Sequence, residues 1–187
     1  MQPTLLSRKS LPLYSHQSWK PVPGWQMIAA SVGFGLLFIL LKTDDDGFLF
    51  VVDHANLVFH EAGHVIFGIL GGTLGLYGGT LGQLAIPLIV GATFWKQRDT
   101  VSTAIAGVWF FQNFLNIARY MADARAQLLP LVGGGDHDWT NIFSRWGALA
   151  ADTAIANTVA AAGWIGMAAV WGWLVWRWAS ASEKIPA

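Results

Sequence analysis

The sequence contains no cysteine, which excludes disulfides, thiolate zinc sites, iron–sulfur clusters and a cysteine nucleophile. Charge is nearly as scarce: Asp, Glu, Lys and Arg make up 12% of the 187 residues, against about 25% in an average soluble protein. So few charged side chains cannot cover the surface of a soluble domain of this size. The charges balance at 11 basic and 11 acidic, so net charge points to no acidic or basic partner. No basic cluster alternates with aromatic residues, which excludes a nucleic-acid surface. Internal repeats, linkers and low-complexity segments are also missing. The first apolar run, from Trp25, has no small-residue cleavage pattern behind it and is read as a retained span.

What the sequence does contain is apolar. Hydrophobic residues make up 54%, mean hydropathy is +0.45, and there are 11 Trp and 11 Phe; these values define an integral membrane protein in a lipid bilayer. The expected fold is all-α, a polytopic transmembrane helix bundle of about five hydrophobic segments: 25–41, 48–70, 83–95, 100–117 and 154–178. A domain over 25–178 is flanked by an interfacial tail, 1–24, and a C-terminal tail, 179–187. Residues 1–24 carry Arg8, Lys9 and Lys20 without an acidic residue and hold Pro3, Pro12, Pro21 and Pro23, as expected of a segment at the headgroups. The Asp44-Asp45-Asp46 run reads as a solvated loop, since it does not continue into a Ca²⁺-binding array. Trp171, Trp173, Trp176 and Trp178 read as interfacial anchors, and Ala160 to Gly163 with Gly166 as a face for tight helix packing.

One stretch carries chemistry: His60-Glu61-Ala62-Gly63-His64. On a helix, positions i and i+4 lie one above the other, so both imidazoles can hold one Zn²⁺ while Glu61 serves as general base toward a bound water. The pentapeptide fixes only three residues, but ionisable groups in a membrane segment usually mark function. The structural alternative is a polar face gripping a neighbouring helix. Asp53 and Asn56 fall on the same face at seven and four residues before His60. They are candidates to orient its imidazole or simply to form a polar helix start. His54 lies off that face.

Residues 71–82 carry six glycines, which oppose a regular helix and predict a re-entrant or hairpin-like stretch, or an extended strand able to pair with a substrate. Gln83 could bond a substrate carbonyl or tie helices together, and Pro87 should kink its span. Gln112, Asn113 and Asn116 share one helical face, predicted to point inward. Arg119, Asp123 and Arg125 are expected to pair with one another. Catalytic zinc typically takes three protein ligands. His137, in Gly133-Gly134-Gly135-Asp136-His137-Asp138-Trp139, is the best third ligand by context; Asp136, Asp138 and Asp123 are the alternatives. A helix cap before Trp139 is the structural reading of the same triplet. His16 sits in a poor context.

If all five segments cross, the N-terminus shares one side with residues 119–152. Six basic residues (Arg8, Lys9, Lys20, Arg119, Arg125, Arg145) then face five (Lys42, Lys96, Arg98, Arg177, Lys184), which hardly orients the chain. That topology also leaves His60 toward the side opposite His137, unless residues 123–139 dip inward or one segment does not cross.

With its H-E-x-x-H in an apolar helix, the Gly63-His64 pairing and the Gly-rich stretch behind it, the chain resembles the site-2 protease class of intramembrane zinc metallopeptidases. It is nearest the small bacterial members, over about residues 53–95. The resemblance implies an enzyme of the bacterial inner membrane that hydrolyses a peptide bond in or near a transmembrane segment of a membrane protein substrate. Zinc would be held by His60, His64 and the Asp136–Asp138 triplet, with Glu61 as the catalytic base. That class takes its third ligand from an Asn-Pro-Asp-Gly-like or Leu-Asp-Gly-like motif, which is absent here; Gly135-Asp136-His137-Asp138-Trp139 stands in its place. The other reading is a non-catalytic subunit of a larger membrane complex, its motif metal-free or structural, suited by the abundant Trp and small-residue faces.

Overall fold

The structure is a computed structural model that describes residues 18–43, 49–132 and 136–182. The tail before Ser18 with His16, the Asp44–Asp46 run, the Gly133–Gly135 run and residues 183–187 lie outside the described residues. Among the described residues there is no strand. The helices are α1 (Gly24–Thr43), α2 (Phe50–Gly68), α3 (Gly72–Lys96), α4 (Thr100–Ala122), α5 (Asp138–Trp146) and α6 (Asp152–Ser182), with a 3-10 turn at Leu149–Ala151.

Four stretches are long and apolar enough to cross a membrane: α1, α3, α4 and Leu149–Ala181. This is consistent with an integral membrane protein, with four such helices instead of the expected five. The motif helix, α2, is the one that drops out. At 19 residues it has the length, but Asp53, His54, Asn56, His60, Glu61 and His64 lower its hydropathy.

The re-entrant or extended stretch expected over 71–82 is overturned, because α3 is helical from Gly72 onward. Only Gly71, at φ +121°, breaks the chain between α2 and α3, in a region that side chains rarely adopt. A helical glycine costs about 1 kcal/mol relative to alanine, and here close helix contact offsets that cost. A Cβ on Gly63 would overlap the Gly78 carbonyl, and one on Gly82 would lie 2.5 Å from the Phe59 carbonyl oxygen. Backbones that approach this closely gain van der Waals contact that larger residues forbid. Pro87 is buried within α3.

The chain direction also differs from expectation. Trp19 packs edge-on against Trp95 at 4.8 Å and Trp173 at 5.2 Å, and Lys20 Nζ lies 2.8 Å from Asp99 Oδ2. Residues 19–24 therefore sit at the α3–α4 turn, opposite the 119–152 region rather than beside it. From there the chain advances along α4 in one sense through two helices. Met27 clusters with Ala104 and Leu174. Leu41 clusters with Val108 and Met167, with Leu49 packed beside them. Asp53 then bonds Gln112, and the His60 ring meets Tyr120. The motif helix thus starts beside the middle of α4 and runs toward the end where α4 gives way to α5. This brings the histidines and residues 136–138 together at one end of the bundle.

Candidate metal centre

His60 and His64 project from one face of α2, as their four-residue spacing dictates. Their Nε2 atoms lie 3.1 Å apart. Asp138, the first residue of α5, places Oδ2 at 2.9 Å from His60 Nε2 and 3.0 Å from His64 Nε2. These three residues could hold a metal ion. In a tetrahedral zinc site with bonds of about 2.0–2.1 Å, ligand atoms sit roughly 3.3 Å apart, so the triangle is close to the required size.

The hydrogen bonds behind the rings fit the same role. His64 Nδ1 lies 2.8 Å from the Gly75 carbonyl oxygen, an acceptor only, so Nδ1 carries the proton and the Nε2 lone pair faces the centre. His60 Nδ1 has Gln83 Oε1 at 3.4 Å, while Gln83 Nε2 donates to Asn116 Oδ1 at 2.7 Å. Gln83 is therefore a tie between helices that also touches the ligand ring. Gly79 forms the floor: a Cβ there would overlap His60 and lie 2.6 Å from His64 Nε2. Gly75 and Gly79, one helical turn apart on α3, supply a carbonyl acceptor and open space, which is the local reason for the glycine run.

Of the acidic and histidine candidates near 136–138, Asp138 reaches the pair and His137 does not. His137 is the N-cap of α5, its Nδ1 accepting the Thr140 N–H at 3.3 Å. Its ring packs on Tyr120 at 4.2 Å, and Nε2 lies 3.4 Å from Asp123 Oδ2. Successive residues at a helix start point in different directions, so neighbours 137 and 138 cannot both face α2. Burial pushes the His137 imidazole below its usual range, against the opposing pull of Asp123. Asp136 lines the same cavity without joining the triangle. Asp123 is occupied elsewhere, accepting the Leu128 and Leu129 N–H groups at 2.8 and 3.0 Å. Of Arg119, Asp123 and Arg125, expected to pair with one another, Arg125 pairs instead with Asp152 at 2.8 Å.

The three ligand candidates face a cavity of about 940 Å³, which Glu61, Gln83, Asn116, Tyr120 and Arg145 also line. Tyr120 had no assigned role in the sequence. Its hydroxyl oxygen accepts the Asp138 N–H at 3.1 Å, fixing the start of α5 over the histidines. The signal was present: 112, 116 and 120 continue the inward polar face of α4 at four-residue steps. Gln112 and Asn113 on that face are buried, as expected. Asp53 and Asn56 are buried as well but touch no motif histidine. Asp53 accepts from the Leu49 N–H at 2.7 Å and from Gln112 Nε2 at 2.8 Å. Asn56 accepts from Trp109 Nε1 at 2.9 Å. They secure the helix start and its seat on α4.

No protein-family model matches this chain, and no curated protein or solved structure is detectably similar to it.

Proposed function

We propose that this protein is a membrane-embedded zinc-dependent peptidase of a bacterial inner membrane, acting on a peptide bond in or near a transmembrane segment of a membrane protein. The observation that carries the reading is the convergence of His60, His64 and Asp138 on one cavity that Glu61 also lines. Two imidazoles and a carboxylate, with no thiolate, are a donor set typical of catalytic zinc with a position left open. Zinc, when bound, supplies Lewis-acid polarisation of a carbonyl and acidifies water.

The chain's own residues supply the rest. Glu61 takes a proton from the attacking water and delivers it to the leaving amine. Gly75 and Gln83 hold the imidazoles in the ligating orientation. The substrate must be locally unwound, because a helix keeps its amides bonded internally, and the polar lining of the cavity (Gln83, Asn116, Tyr120) offers partners to the amides so released.

The test is the metal content of detergent-purified protein beside a His60→Ala/His64→Ala variant and Glu61→Gln. About one zinc per chain is expected in the wild type, lost in the double variant and retained in Glu61→Gln, which would no longer cleave. Wild-type protein without zinc, even after zinc is supplied, would end the peptidase reading in favour of a non-catalytic subunit.

A further inference from the structure

The two ends of the bundle differ in charge, and the direction of α1 is what reveals it. At the α3–α4 end, Trp19 packs with Trp95 and Trp173, whose own rings stack at 6.0 Å. Cations lie on these faces: the Arg98 guanidinium sits 5.3 Å from the Trp19 ring, and that of Arg177 lies 5.2 Å from Trp19 and 5.6 Å from Trp176. Lys20 and Lys96 stand in the same collar, and among the described residues its one acidic group is Asp99. The sequence adds Arg8 and Lys9 ahead of Trp19, and Glu183 and Lys184 beyond α6, with no apolar run between them and the collar. At the other end the basic residues are Arg119, Arg125 and Arg145, amid Glu61, Asp123, Asp136, Asp138 and Asp152. Lys42 belongs to neither end, lying over Trp164 midway along α6.

We infer that the Trp–Lys–Arg collar docks on the anionic headgroups of the cytoplasmic leaflet, and that the cavity of His60, His64 and Asp138 therefore opens toward the extracytoplasmic side. Lys and Arg near the ends of membrane helices are retained on the cytoplasmic face, whereas acidic residues count for little. An anionic leaflet attracts cations near its surface. Seven of the eleven basic residues belong to the collar or its flanking segments, which replaces the near-even tally of a five-crossing chain. Tryptophan rings at the headgroup level reinforce the anchoring. Resting on the peptidase reading, the substrate class narrows to membrane segments whose scissile bond is approached from outside the cytoplasm.

A cysteine-free chain allows a direct test. Single cysteines replace exposed residues at the two ends: Ala126→Cys and Ser144→Cys near the cavity, Gln97→Cys at the collar. A membrane-impermeant maleimide is applied to intact bacteria, and detergent-solubilised samples confirm that every site is reactive. Labelling of 126 and 144 in intact cells, with 97 protected until the membrane is opened, is the expected result. The reverse pattern, or all three sites reacting from one side, overturns the inference. Replacing Lys96 and Arg98 by Glu should blur the asymmetry; an unchanged pattern would remove the collar as its cause. Labelling needs neither zinc nor cleavage, so it can fail while the metal measurement succeeds, and the converse.

Discussion

Two helix pairs in this protein use glycine to pack closely, to different ends. In α4–α6, glycine makes room for a side chain: a Cβ on Gly166 would overlap the Phe111 ring, and one on Gly107 would lie 3.1 Å from Val170. The result is an apolar, filled contact typical of membrane bundles. In α2–α3, glycine meets glycine. Gly63 lies against Gly78, Gly68 against Gly75, and Gly79 leaves space that the two imidazoles occupy. Where a side chain fills the gap the pair is scaffold; where backbone meets backbone, carbonyls and open volume remain for polar groups to use.

The sharpest way to break this comparison is to add one methyl group to each pair. Gly63→Ala and Gly166→Ala should each cost about 1–3 kcal/mol through overpacking, read as the thermal midpoint in detergent. Gly63→Ala should also abolish zinc binding by pushing α2 off α3, whereas Gly166→Ala should keep about one zinc per chain. Equal zinc loss in both would show that the site depends on the whole bundle. Next in size is a contrast within the site itself. Asp138→Asn should weaken zinc by more than the roughly 10–100-fold typical of an outer partner. His137→Asn, which keeps a good N-cap, should retain zinc and lose on the order of 1 kcal/mol with the ring contact to Tyr120; chelator competition distinguishes them.

Asp53→Ala tests the seat of α2 on α4. It leaves the Leu49 N–H and the Gln112 amide unpaired, at about 1–3 kcal/mol, with zinc stoichiometry unchanged in the purified protein. The smallest effect belongs to the far end. Lys20→Ala removes an ion pair with an exposed lysine, worth about 0.2–1 kcal/mol. The Lys20 ammonium holds the Asp99 carboxyl below the usual carboxylate range. That stabilisation is present above the unfolded value near 3.9 and fades as pH falls through the lower folded value. The difference between wild type and Lys20→Ala in a pH series of unfolding midpoints should therefore close below about pH 4.

Much of this was legible in the linear chain. Long unbroken apolar segments are helical in a membrane, because each then satisfies its own backbone, whereas barrel strands would alternate apolar and polar residues. His60 and His64 share a face by spacing alone. The inward face of Gln112, Asn113 and Asn116 follows from the same period, and residues 136–138 stood out by context as the best source of a third ligand. Three features were not legible. Glycines 71–82 argue against helix until a partner glycine helix lies against them, because propensity is local while the compensating contact comes from α2. The choice of Asp138 over His137 depends on which way α5 starts; Thr140 ties His137 into the cap locally, but the Asp138 N–H is fixed by Tyr120, 18 residues away on α4. The direction of α1 was decided by Trp19 and Lys20 meeting Trp95, Asp99 and Trp173.

The sequence alone determined the solvent, the all-helical class and two of the three ligand candidates, since hydropathy and helical period are properties of short stretches. Only the tertiary structure decided the third ligand candidate, the helical state of the glycine run and the end of the bundle to which each charge belongs. Each of those depends on contacts between residues far apart in the chain, which no local pattern encodes.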